Sequence, residues 1–221
     1  MRSMRTKRSQ QSGFTLVEIA IVLVIIGLLL GGILKGQELI NSAKVKNLAN
    51  DFRIIPTYIY GYQDKFKALP GDDITAETHL TGGLPADNGN GNGIINGNWN
   101  STTATDESFR FWRHVRLANV AAGPTDVADP EYRPKNAIGG FIGISSASTA
   151  QLQIAGMAGS YQICSTSILG RFVKQLDIQM DDGNTATGSM RAVADGAALG
   201  ATGVATAAVD DALNYTVCMT F

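Results

Sequence analysis

The sequence predicts an α+β chain. One long N-terminal helix, half membrane-spanning and half amphipathic, should pack on a small antiparallel β-sheet head. Three observations carry this expectation. An apolar run opens the chain, and its helical spacing continues well beyond that run. Short β-prone runs recur between residues 138 and 165 and again at the C-terminus. Loops rich in glycine join them, with 25 Gly among 221 residues. Apolar residues make 44 % and charged residues 17 %, which is enough for a core and excludes wholesale disorder.

The formal charge of −1 hides an asymmetry. Arg2, Arg5, Lys7 and Arg8 precede residue 14 with no acid among them, whereas residues 71–221 hold eight bases against fifteen acids. The chain therefore reads as a basic tip, a mildly basic neck and an acidic body. Such a body offers no general electrostatic footprint for nucleic acid.

Ile19–Leu34 is sixteen residues without a charge, and back to Phe14 the apolar stretch spans 21 residues, interrupted only by Thr15 and Glu18. At ~1.5 Å rise per residue that length covers about 30 Å, one bilayer core. The preceding bases hold the tip in the cytoplasm and send the rest outward. A secretory signal would be shorter and end in a small-x-small cleavage site. A plain signal anchor fits the length but gives no reason for Glu18, a carboxylate that is costly inside an apolar helix.

Gly13-Phe14-Thr15-Leu16-Val17-Glu18, after a basic leader and before an apolar helix, resembles the processing motif of type IV prepilins and type II secretion pseudopilins. The resemblance implies cleavage between Gly13 and Phe14 by a membrane aspartyl peptidase. It further implies N-methylation of Phe14 and filament assembly through Phe14 and Glu18. Residues 1–13 would then be a leader that is removed, 14–68 the N-terminal helix (14–34 its membrane and filament-core part), and 69–221 a globular head of the family's ladle-shaped fold. Lys35 stands where many members carry proline, with Gly31, Gly32 and Gly36 around it to loosen the helix.

Apolar positions recur at Leu39, Ile40, Ala43, Val45, Leu48, Ala49, Phe52, Ile55 and Ile59, which extends the helix to about Phe66. Pro56 should kink it, and Pro70-Gly71 should end it. Residues 71–100 read as a long polar loop. Its Gly/Asn run, 87–98, has alternating oxygen ligands that imitate half of a calcium loop, with Asp87, Asn90 and Asn92 as the candidate ligands. Trp99 stands where the bidentate Glu would be, so a Ca²⁺ site and a turn-rich surface loop both stay open. Ca²⁺ is the one cofactor the sequence raises; some pseudopilins bind it in a body loop.

Asp106–Val120 reads as a helix with Phe109, Trp112, Val115 and Leu117 inward. Arg110, Arg113 and Arg116 would form a basic face on it, solvated and paired with acidic neighbours, with contact to DNA or another anionic polymer as the alternative. His79 and His114 are isolated, and no catalytic ordering of nucleophile, His and acid is present. Strands are expected at Ile138–Ile144, Gln151–Ile154, Tyr161–Ser165 and Tyr215–Phe221, with a short helix at Ser167–Gln179. Residues 185–209, rich in Ala, Gly and Thr, read as an irregular loop. Cys164 and Cys218 are the only thiols. Export to an oxidising compartment would join them, and the resemblance implies one such C-terminal bridge; two buried free thiols are the alternative.

The resemblance thus implies a structural filament subunit, not an enzyme. Its partners would be copies of itself and other pilins, the prepilin peptidase, the inner membrane and an assembly platform. A type IV pilus is the first reading, for adhesion, motility or DNA uptake. It places the precursor in the inner membrane and the product on the cell surface. A periplasmic type II secretion pseudopilus is the second. A membrane-anchored periplasmic binding module or hydrolase is the alternative of another class.

Overall fold

The computed structural model describes residues 15–148 and 150–221. Its elements are α1 (Leu16–Phe66), α2 (Ala76–His79), α3 (Glu107–Leu117), β1 (Ile142–Ser146), β2 (Tyr161–Leu169), α4 (Gly170–Met180), β3 (Met190–Ala194) and β4 (Asn214–Thr220). Short 3₁₀ turns lie at Pro85–Asp87 and Thr206–Ala208. This is the expected α+β arrangement of a long helix and a four-stranded antiparallel sheet, in the order β1-β2-β4-β3.

The chain divides into two compact units, with the boundary between Ser42 and Ala43, inside α1. In the first, the apolar side chains of α1 are exposed along its whole length, from Leu16 to Ile40. α1 is long and apolar enough to cross a membrane. Leu39 and Ile40, expected on a packed stripe, are exposed as well.

The second unit holds the core. Val45, Leu48, Ala49, Phe52, Ile55, Ile59 and Tyr62 are buried, at the three- and four-residue spacing that keeps one helix face inward. All but Tyr62 pack in one cluster with Phe111 and Val115 of α3, Ile144 of β1, Ile163 and Ile168 of β2, Phe172, Val173 and Leu176 of α4, and Val217 of β4. Pro56 lies inside α1, and the helix continues through it although the ring removes the N–H that would have bonded the Phe52 carbonyl.

Several sequence expectations need correction. Gln151–Ile154 is no strand; it contributes one isolated bridge, Ile154 to Ala201. Ile138–Ile144 shrinks and shifts to β1. The expected helix at Ser167 begins only at Gly170, because β2 runs on through a bulge between Ser165 and Ile168, with Ser167 at φ 61°. The loop 185–209 contains β3, which pairs with β4 from Met190↔Met219 to Ala194↔Tyr215. Val193 is its one strong strand former, so the partner strand and burial make the strand.

Candidate functional site

Gly13 and Phe14 lie outside the described residues. The first described turn of α1 is tied by its own side chains. Thr15 N–H and Thr15 Oγ1 each donate to Glu18 Oε2 at 2.8 Å, and Glu18 N–H donates back to Thr15 Oγ1 at 3.3 Å. This is a reciprocal capping box, with Thr15 as N-cap and Glu18 at the third helical position. The Thr-x-x-Glu spacing that announces it was present in the sequence and missed. Beside and beyond it, Val17, Ile21, Val24 and Ile25 present an apolar surface.

In the second unit, the polar loop 71–100 is folded around buried carboxylates. Asp72 Oδ1 accepts from Gly91 N–H (2.6 Å) and Asn92 N–H (3.1 Å), and its Oδ2 accepts from Gly93 N–H (2.7 Å). Gly91 has φ +72°, and a Cβ there would lie 2.5 Å from the Ile74 side chain, so the close turn requires glycine. Glu107 takes the N–H groups of Asn90 and Asn96. Asp87 accepts from Leu84 N–H and pairs with Arg113 Nε at 2.8 Å. Asn90 Oδ1 and Asn92 Oδ1 accept from the N–H groups of Asn92 and Ile94. Each candidate Ca²⁺ ligand in this loop also accepts a hydrogen bond from a backbone N–H.

The arginine row on α3 is not a solvated face. Arg116 is buried, donates to the carbonyls of Pro124 and Tyr132, and lies over the rings of Trp112 and Tyr132. Arg113 donates to Thr125 O, and Arg110 to the carbonyls of Ala104 and Asn88. Guanidinium groups fasten loop carbonyls here, which removes them from contact with an external polyanion.

His114 is fully buried. Gly71 N–H donates to its Nδ1 at 2.9 Å, so Nε2 must carry the proton that it donates to Asp87 O at 2.9 Å. Burial holds this imidazole below its ordinary value, against the opposing pull of Asp87 and Asp73. The unfolded chain takes up this proton as pH falls through ~6.5, whereas the folded chain resists it. Stability contributed here is present at neutral pH and is lost as pH falls. The stability advantage of wild type over His114→Gln should shrink from pH 7 to pH 5, by up to about 1.4 kcal/mol per pH unit. Parallel melting-temperature curves for the two proteins would refute it.

Cys164 and Cys218 form a disulfide. They sit directly opposite each other on β2 and β4, fully buried beside Trp99 and Val193. A separate group gathers where α4 meets the following turn: Asp177, Asp181 and Asp182. Burial and the two neighbouring carboxylates push Asp177 up to about 6.

Residues 8–34 match a family model described as the prokaryotic N-terminal methylation motif. This is the signature of type IV pilins and pseudopilins, and it spans the end of the basic N-terminal segment, the Gly13–Glu18 motif and the apolar run to Leu34. No curated protein and no solved structure matches the chain.

Proposed function

We propose that this chain is a structural subunit of a type IV pilus. It is inserted in the inner membrane as a precursor, cut between Gly13 and Phe14 by the prepilin peptidase, N-methylated on Phe14, and assembled with other pilins through α1. The observation that carries this reading is the methylation motif over residues 8–34, set at the junction of a basic leader and an exposed apolar helix. The leader holds the scissile bond at the cytoplasmic face. Gly13 leaves room for the peptidase at the bond before Phe14. Once the leader is gone, the exposed apolar side chains of α1 have two hosts, the lipid and the same helix of other subunits. Moving from one to the other changes their hydrophobic burial little, so assembly and storage in the membrane can interconvert.

Intact-mass analysis of filament protein tests the reading. The expected mature chain starts at N-methyl-Phe14, and Gly13→Leu accumulates the full-length precursor. A mature N-terminus at any other residue overturns it. Electron microscopy of sheared cell-surface fibres distinguishes a pilus from a periplasmic pseudopilus.

A further inference from the structure

We infer that Asp177, Asp181 and Asp182 form a binding site for a divalent cation, Ca²⁺ in preference to Mg²⁺, at the C-terminal end of α4. One carboxylate oxygen from each residue lies within 4.8 Å of the other two. Asp177 is only 1 % exposed, yet neither of its carboxylate oxygens has a hydrogen-bond partner. The Gly183 N–H approaches it without reaching hydrogen-bond geometry. Among the described residues, no Lys or Arg forms an ion pair with any of the three. An unpaired buried carboxylate is among the costliest groups a fold can hold. Here two like charges stand beside it, at the helix end where the backbone dipole is also negative. A cation at the common centre removes all three penalties together.

The donors are carboxylate oxygens throughout, which selects a hard cation. Ca²⁺ takes six to eight oxygens at about 2.3–2.6 Å in flexible geometry, whereas Mg²⁺ demands near-ideal octahedral geometry and dehydrates reluctantly, so an irregular carboxylate cluster favours Ca²⁺. The three oxygens, all within 4.8 Å of one another, fit inside one such coordination shell. Two of the ligands are already aimed by the turn. Asp181 Oδ2 accepts from Met190 N–H at 2.8 Å and Oδ1 from the Ser189 hydroxyl. Asp182 Oδ1 accepts from Asn184 N–H, and Oδ2 from the Thr187 hydroxyl at 2.7 Å. Each of these oxygens keeps a lone pair for a metal. Gly188, at φ +71°, lies so close that any Cβ there would collide with Asp181 Oδ2. The turn is therefore built against the cluster, and an ion would fasten the end of α4 to the start of β3.

The test uses the full chain in detergent, stripped with EGTA and titrated with CaCl₂ by calorimetry and thermal melting. The expected result is one ion bound per chain and a melting temperature raised by roughly 5–10 °C at about 100-fold over Kd. Asp177→Asn should abolish binding, yet in EGTA it should melt at or above the wild-type temperature, since it removes the unpaired charge. That combination separates a lost ligand from a damaged fold. Asp182→Asn, altering an exposed side chain, should weaken binding at least about tenfold. No heat and no shift in the wild-type chain would overturn the site. So would a Ca²⁺ response retained by Asp177→Asn, which would place binding elsewhere, such as the 87–98 loop; unchanged affinity in Asp182→Asn overturns it equally.

Discussion

Reducing the Cys164–Cys218 bridge, or replacing both residues by alanine, should lower the stability of the body by about 4 kcal/mol. The two cysteines are 54 positions apart, and α4, β3 and the acidic turn lie between them. In the unfolded chain the bond closes that whole loop, and the entropy removed grows with the logarithm of its length. In the folded chain it adds little, because the β2–β4 ladder already holds Cys164 opposite Cys218. The gain therefore comes through the unfolded state. For a domain of this size ~4 kcal/mol corresponds to a fall of roughly 8–16 °C in melting temperature. Non-reducing peptide mapping should recover the linked pair from exported protein. A melting temperature that does not move on reduction would contradict the account, and so would two alkylatable thiols in native material.

Glu18→Gln should abolish filament assembly while leaving the first turn of α1 intact. Glutamine at the third helical position can still accept from Thr15 N–H, so the capping box survives and only the charge is lost. On the proposed function, cleavage would leave an amine on Phe14 that stays cationic after methylation. In a filament core that cation and the Glu18 carboxylate are each costly alone, and pairing offsets the cost. On the proposed function, pairing between neighbouring subunits would also set the axial register, which apolar surfaces alone would let slip. Glu18→Val loses both the charge and the cap. In cells lacking a wild-type copy, both variants should insert and be cleaved normally. The ratio of sheared filament to membrane-bound mature subunit should drop at least about tenfold in each, since breaking a buried pair costs several kcal/mol. Wild-type assembly by Glu18→Gln, with Glu18→Val still defective, would reduce the role of this carboxylate to capping.

The parts of this protein that were legible from sequence are those written in neighbouring residues. The leader, Gly13 to Glu18 and the apolar run form one contiguous pattern. Helix α1 ends at Phe66 as its periodicity requires, and α3 begins one residue after the acid that precedes it. Contacts three and four positions apart generate these features, so a window of a few turns contains their cause. Thr15 and Glu18 belong to the same class, and their capping box was readable in principle. Other features depend on partners tens of residues away. β3 exists because β4 offers it a ladder. The arginines of α3 turn inward because distant loops bring carbonyls to them; charge alone suggested water. Asp72 gathers the Gly/Asn loop about itself from about twenty residues away. The gathering of Asp177 with Asp181 and Asp182 depends on a packed α4, which buries the first carboxylate while its donors go elsewhere. Burial and pairing of polar groups are settled by which surfaces meet when the chain closes, and no local pattern encodes that meeting.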